Sequence, residues 1–115
     1  MAQSTNKGTA TFIRQRVTGA LNIPLIGFFV WLIVSLQGAD RAQMVATFSN
    51  PVVWLLMLAL LGSALVHMRI GMNEIIEDYV HTPALHTLAK LANTIFTVAV
   101  GAIAAVSVLV LAFGG

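Results

Sequence analysis

The chain has 115 residues, of which 58% are hydrophobic and only 9% are charged. A soluble domain of this composition would lack the polar surface needed to cover its core, so the chain belongs in a lipid bilayer. The net charge of +2 comes with no soluble basic module and therefore does not indicate a nucleic-acid partner. The lack of cysteine excludes disulfides, thiolate metal sites and iron–sulfur ligation within the chain.

Three stretches contain no charged residue, and each is as long as the roughly 20 apolar residues that cross a bilayer as a helix. These stretches are residues 17–39, 42–68 and 91–115. Their apolar runs lack the alternation of a membrane β-barrel, and backbone groups in lipid must bond within their own segment. The sequence therefore predicts an all-α membrane protein with three transmembrane helices.

The polar and basic residues 1–16 are predicted to form a cytoplasmic N-terminal segment, and residues 17–115 a three-helix transmembrane anchor domain. The predicted spans cover about residues 17–37, 52–79 and 83–113. The first span is too long and wrongly flanked for a cleaved signal peptide, so we expect a mature N-terminus without a long transit sequence. A short chain of this kind favours the bacterial inner membrane over an imported organellar precursor.

The orientation of the spans follows from lysine and arginine, which resist translocation across the membrane. Five of the six basic residues fall on one side of the predicted spans, and Arg41 falls on the other. The five are Lys7, Arg14, Arg16, Arg69 and Lys90. This asymmetry predicts a cytoplasmic N-terminus and an external C-terminus.

Two proline motifs mark the starts of the second and third spans. Asn50-Pro51 and Thr82-Pro83 each place a capping residue before a proline at the first helical position. The second and third spans are therefore predicted to form a helical hairpin with its apex near residues 78–82. Residues 38–50 are predicted to form the external connection.

His67 is the most deeply placed ionisable residue of the predicted spans. At 1.5 Å per residue it lies about 22 Å along the second helix from Val52, within the hydrocarbon but nearer its cytoplasmic edge. Helical spacing places the small residues Ser63 and Gly71 on the same face, where they are expected to let another helix or a flat cofactor approach closely. The imidazole suits either packing against a neighbouring helix or ligation of a haem iron, and the spacing alone leaves both open.

A haem held by two imidazoles needs a second histidine at the same depth. The other histidines of the chain are His81 and His86, near the start of the third span. In an antiparallel hairpin the residues level with His67 are about 93–98, well inside the third helix. A second ligand would therefore have to come from another subunit.

Polar residues at the cytoplasmic interface form a second candidate site. Asp78 and Tyr79 lie about 16 Å beyond the histidine if the helix persists. Tyr79 fits either an interfacial aromatic belt or a hydrogen-bond donor to a quinone carbonyl, with Asp78 as an orienting or proton-relaying acid. Arg16 is either a topology determinant or a cation within reach of a haem propionate. Glu74 and Glu77 are expected to be solvated or to face partner subunits.

The spacing of these residues resembles that of a known family. The motif His67-x-Arg-x-Gly71, followed by Asp78-Tyr79-Val80, resembles the hydrophobic membrane anchor subunit of succinate dehydrogenase, the smaller membrane chain of respiratory complex II. The three-span layout, the length and the Arg16-Val-Thr-Gly segment at the first span are similar as well. The resemblance thus extends over most of the chain.

The resemblance implies particular roles for four residues. His67 would be an axial ligand of a b-type haem, with the other ligand supplied by a companion cytochrome b556 subunit. Tyr79 would hydrogen-bond ubiquinone, Asp78 would support that site, and Arg16 would lie near a haem propionate. Flavoprotein and iron–sulfur subunits would dock on the cytoplasmic side.

The expected function is that of a membrane anchor of succinate:ubiquinone oxidoreductase, in electron transport and the tricarboxylic acid cycle. The chain is expected to have no catalytic activity alone, because it carries neither flavin nor iron–sulfur ligands. One alternative is the anchor of a quinol:fumarate reductase, and another is a haem-free assembly subunit whose His67 only packs. A small transporter is disfavoured because a single histidine is the only deep ionisable group.

Overall fold

The computed structural model describes residues 2–114, with side chains described from Gly8 onward. This part of the chain contains four α-helices and no strand. The helices are α1 (Ala2–Ser35), α2 (Arg41–Phe48), α3 (Pro51–Tyr79) and α4 (Pro83–Ala112). Of these, α1, α3 and α4 are long and apolar enough to cross a membrane. The prediction of an all-α fold with three membrane-spanning helices is confirmed. Lys7, which is counted in the prediction of orientation, lies outside the described side chains.

Helix α1 begins at Ala2, well before residue 17, where the uncharged stretch starts. Residues 2–16 contain no proline and a single glycine, so nothing in this segment stops a helix. The part of α1 that is apolar enough to span a membrane is Gly8–Ser35. The basic segment ahead of the first span therefore continues the same helix.

The short helix α2 lies within residues 38–50, for which the sequence predicts only a connection. Its N-cap is Asp40, whose carboxylate accepts a hydrogen bond from the Gln43 backbone N–H at 2.8 Å. The Gln43 side-chain oxygen accepts in turn from the Asp40 backbone N–H at 2.9 Å. This reciprocal pair is a capping box, and the Asp-x-x-Gln spacing was a usable sequence signal. Gly38 has a φ of 75° and lets the chain turn between α1 and α2.

Helix α3 is the central element of the bundle. It packs against α1 on one side and against α4 on another, and within the described residues α1 and α4 do not pack against each other. The contacts run in opposite chain directions in both pairs, so α3 is antiparallel to each neighbour. Asn50 accepts a hydrogen bond from the Val52 N–H at the start of α3, whereas Thr82 stands at the N-cap of α4 without a side-chain cap bond.

The apolar core lies at the end of the bundle that holds α2. Its buried residues come from all four helices and are Leu32, Phe48, Val53, Met57, Leu60 and Val108. Many other large apolar side chains, such as Trp31 and Ile103, are exposed on the outside of α1 and α4. So much exposed apolar surface is stable only when it is covered by lipid or by partner subunits.

A polar cluster joins α3 to α4 nearer the hairpin apex. Asn93 is 8% exposed and is the one buried polar side chain among residues 8–114. Its Nδ2 donates to the Arg69 carbonyl at 3.0 Å and to the Asn73 side-chain oxygen at 2.9 Å. Arg69 also donates to the Thr94 hydroxyl at 3.1 Å. These bonds fix the register of the hairpin.

We predict that Asn93→Ala destabilises the α3–α4 hairpin by about 1 kcal/mol, because it removes two interhelical hydrogen bonds within a membrane. The measurement is an SDS titration of the full chain in mild detergent, followed by circular dichroism. Ser107→Ala is the control, since the Ser107 hydroxyl bonds only the Ile103 carbonyl of its own helix. Equal shifts for the two variants would contradict a special contribution from Asn93.

Candidate functional site

His67 lies in the interface between α3 and α1 and is half-buried there. Its Nδ1 is 3.1 Å from the hydroxyl of Thr18. A Cβ placed on Gly19 would lie 3.3 Å from His67 Cε1, so the absence of a side chain at Gly19 lets the ring approach the α1 backbone. One edge of the imidazole is therefore held against α1.

Hydrogen bonds on both sides of His67 hold α1 and α3 together. Gln15 Nε2 donates to the His67 backbone carbonyl at 3.2 Å. One turn earlier on α3, the Ser63 hydroxyl is 2.8 Å from Asn22 Oδ1 and 3.2 Å from the Thr18 carbonyl. The α1 residues recur at spacings of three and four, which places them on one helical face. This face of α1 is fixed in register with the histidine.

The small residues beside His67 on α3 lie next to α1. Ser63 bonds α1, and a Cβ on Gly71 would lie 3.4 Å from Gln15 Nε2. Of the two neighbours that the sequence left open, a helix and a flat cofactor, the structure shows α1 beside both residues. Spacing on one helix identified a small face but not which neighbour occupies it.

The remaining histidines lie at the N-terminal end of α4. The contacts of Arg69 with Thr94, and of Leu65 with Gly101, place His67 level with the middle of α4. His81 precedes α4 and His86 lies in its first turn. In the part of the chain that the structure describes, no three histidine or acidic side chains group to hold a metal ion. Neither of the other two imidazoles of this chain therefore lies level with His67.

The chemistry of His67 fits one half of a bis-histidine haem site. A haem iron binds a neutral imidazole through a nitrogen that carries a free lone pair. Nδ1 of His67 faces the Thr18 hydroxyl, and Nε2 has no hydrogen-bond partner among residues 8–114. Nε2 is therefore the nitrogen that can bind iron.

Asp78 and Tyr79 lie at the C-terminal end of α3, apart from the histidine. Tyr79 is the last residue of the helix and is 77% exposed, and Asp78 is also exposed. Neither side chain has a hydrogen-bond partner among residues 8–114. Both are thus accessible to a ligand or to a neighbouring subunit at the membrane interface.

A groove of about 630 Å³ lies between the first half of α1 and the last third of α3. Its lining residues are Gly8, Thr11, Phe12, Arg14, Gln15, Arg16, Arg69, Ile70, Asn73, Glu74 and Glu77. The guanidinium of Arg16 stacks over the Phe12 ring at 5.5 Å. Glu77 accepts a hydrogen bond from Lys90 at 2.7 Å, which offsets one of the two acidic charges. The three lining arginines therefore give the groove an excess of positive charge.

These features define an all-α protein with three helices long and apolar enough to cross a membrane, one half-buried histidine between two of them, and a polar end. The model of the succinate dehydrogenase/fumarate reductase transmembrane subunit family matches residues 2–111, and the chain belongs to this family. No curated protein matches the chain. Members of the family are membrane subunits of complexes that bind haem and quinone and contain flavoprotein and iron–sulfur partners. The resemblance seen in the sequence is confirmed at the level of this family.

Sequence analysis identified His67 but missed the α1 residues that contact it. Those residues are Gln15, Thr18 and Gly19. Gln15, Thr18 and Asn22 are polar residues at helical spacing in or next to an apolar span, which was a usable signal for a face that meets another helix. Their partners on α3 became apparent only from the packing of the two helices.

We predict that cysteines at positions 22 and 63 become cross-linked, because the replaced Asn22 and Ser63 side chains touch at 2.8 Å. The chain has no cysteine of its own, so an Asn22→Cys/Ser63→Cys variant carries two thiols only. Loss of maleimide labelling after treatment with a short thiol cross-linker measures the reaction. Asn22→Cys/Gly62→Cys is the control, since a Cβ at Gly62 meets nothing within 4 Å. Equal labelling of both pairs would contradict this packing of α1 on α3.

Proposed function

We propose that the chain is the membrane anchor of a succinate:ubiquinone oxidoreductase, respiratory complex II, in the bacterial cytoplasmic membrane. It holds one axial ligand of a b-type haem and contributes to the site where ubiquinone is reduced. The observation that carries this proposal is the setting of His67, whose Nδ1 faces Thr18 while Nε2 has no partner among residues 8–114. Placing an imidazole nitrogen without a hydrogen-bond partner inside a membrane costs free energy, and ligation of an iron would offset this cost whereas packing alone would not.

The second haem ligand is assigned to the partner cytochrome b556 subunit. His81 and His86 lie near the hairpin apex, whereas His67 is level with the middle of α4. The exposed apolar faces of α1 and α4 provide surface for such a membrane partner. The bound haem would supply one-electron transfer within the membrane.

Arg16 is proposed to bind a haem propionate. It lies in the arginine-lined groove, on the same segment of α1 that contacts His67. No carboxylate of residues 8–114 forms an ion pair with Arg16, so its guanidinium keeps donors for a carboxylate of another group. The excess positive charge of the groove favours an anionic group at this position.

Tyr79 and Asp78 are proposed to bind ubiquinone. The phenol of Tyr79 donates a hydrogen bond to a quinone carbonyl, and Asp78 orients this donor or relays protons from the cytoplasm. Reduction to ubiquinol takes two protons and the two electrons that succinate loses at the flavoprotein and that pass through the iron–sulfur subunit. The exposure of Tyr79 at the end of α3 suits a site completed by those subunits.

The orientation proposed for the chain places this site on the cytoplasmic side. The end of the bundle that contains Tyr79 also carries Arg14, Arg16, Arg69 and Lys90. A quinol:fumarate reductase anchor is a second candidate, because the matching family includes both kinds of complex. It would use the same residues with electrons moving in the opposite direction.

We predict that His67→Ala removes or strongly perturbs the low-spin b-type haem of the complex purified through this chain. The measurement is the reduced-minus-oxidised optical spectrum with the haem content per copy, expected to be about one in the unsubstituted complex. His86→Ala is the matched control and is expected to leave the spectrum unchanged. An unchanged spectrum and haem content in His67→Ala would make the chain a structural anchor in which His67 only packs.

We predict that Tyr79→Phe lowers kcat/KM for succinate-driven quinone reduction by roughly tenfold, the cost of about 1.4 kcal/mol for one lost hydrogen bond to the quinone. Succinate oxidation with an artificial electron acceptor that bypasses the membrane is expected to stay normal, which reports intact assembly. Thr87→Val serves as the control, because it deletes an exposed hydroxyl near the start of α4. Normal quinone turnover in Tyr79→Phe would remove Tyr79 from the proposed site.

A further inference from the structure

The hydroxyl of Thr18 contacts three groups but carries one proton. Its oxygen is 2.7 Å from the Arg14 carbonyl, 3.3 Å from the Gln15 carbonyl and 3.1 Å from Nδ1 of His67. Carbonyl oxygens only accept hydrogen bonds, whereas an imidazole nitrogen either donates or accepts. The Thr18 hydroxyl therefore donates its one hydrogen bond to the Arg14 carbonyl, which is its shortest contact.

This assignment fixes the tautomer of His67. Because the Thr18 hydroxyl donates its hydrogen bond to the Arg14 carbonyl, its oxygen presents a lone pair to Nδ1 of His67. Nδ1 therefore carries a hydrogen and donates it to the Thr18 oxygen. The reverse assignment would leave two oxygens facing each other at 2.7 Å with no proton between them. Neutral His67 is therefore protonated at Nδ1 and has its lone pair at Nε2.

We propose that Thr18 is a positioning residue that holds His67 in the Nδ1–H tautomer and presents Nε2 to the haem iron. The inference rests on the proposed function, because it gives Thr18 a role toward the haem that His67 binds. A ligating histidine generally donates its second ring N–H to an acceptor, which orients the ring and raises its basicity as a ligand. Here that acceptor belongs to α1 of the same chain.

Gly19 completes this arrangement from the next position on α1. An alanine methyl group there would lie 3.3 Å from Cε1 of His67, closer than an ordinary van der Waals contact. The backbone at His67 is tied to the same face of α1, because its carbonyl accepts a hydrogen bond from Gln15 Nε2. Gly19→Ala is thus expected to displace the ring from the Thr18 oxygen without removing the hydroxyl.

The test compares Thr18→Val with Thr18→Ser in the intact complex that contains His67. Valine keeps the shape of threonine but removes the acceptor, whereas serine retains it. We expect Thr18→Val to weaken haem retention about 10-fold to 100-fold, to shift the low-spin electron paramagnetic resonance signal, and to raise the haem midpoint potential. The rise follows because an imidazole without its acceptor is less basic and stabilises ferric iron less. Thr18→Ser is expected to restore all three properties.

Gly19→Ala and Gly27→Ala provide a second, steric comparison on the same helix. A Cβ at Gly27 meets nothing within 4 Å, so only Gly19→Ala is expected to shift the spectrum and the potential. This pair decides the question if Thr18→Val does not assemble. Unchanged signal and potential in an assembled Thr18→Val complex would overturn the role of Thr18, and so would the same result in Gly19→Ala if Thr18→Val does not assemble.

His67→Ala separates this inference from the proposed function. If His67→Ala loses the haem while Thr18→Val and Gly19→Ala leave signal and potential unchanged, the ligand assignment stands and the positioning role fails. If His67→Ala keeps an unchanged haem, the proposed function fails and the positioning role fails with it. The potential and the resonance signal are the deciding measurements, because a purely structural threonine would change stability without moving them.

Discussion

Polar groups between membrane helices have no water to bond, and this constraint governs how the bundle is assembled. On one side of α3, the hydroxyls and amides of α1 bond Ser63 and His67. On the other side, Asn93 bonds the α3 backbone and Asn73. Apolar contacts allow one helix to pack against another at several axial positions, whereas these hydrogen bonds form at only one. The position of each outer helix along α3 therefore depends on a few polar side chains.

The same constraint gives His67 its chemical character. One ring nitrogen of the imidazole, Nδ1, has its partner in the Thr18 hydroxyl of α1. The unpartnered nitrogen is compatible with a metal ligand, and the chain brings no second histidine to that level. The exposed apolar faces of α1 and α4 add surface that lipid or partner subunits would cover. Membership of a family of membrane subunits agrees with the proposal that a partner completes the site.

Helix α3 connects two different environments. Its middle carries His67 in an interface within the membrane, and its C-terminal end carries Asp78 and Tyr79 in an exposed position. Between them, the arginine-lined groove adds positive charge next to α1. The continuous helix therefore separates the histidine from the exposed acid and phenol. In the proposed complex, α3 would hold both proposed sites at a fixed spacing.

The sequence by itself determined the three spans, because uncharged stretches of this length have few alternatives in a bilayer. It also determined the helix starts at Pro51 and Pro83, the position of His67 along its helix and the family, since each depends on composition or spacing along one chain. Only the tertiary structure decided that Ser63 and Gly71 face α1, and that Thr18 and Gly19 hold the imidazole. These facts depend on the rotation of one helix against another. Helical period identifies a face, but hydrogen bonds between helices select its neighbour.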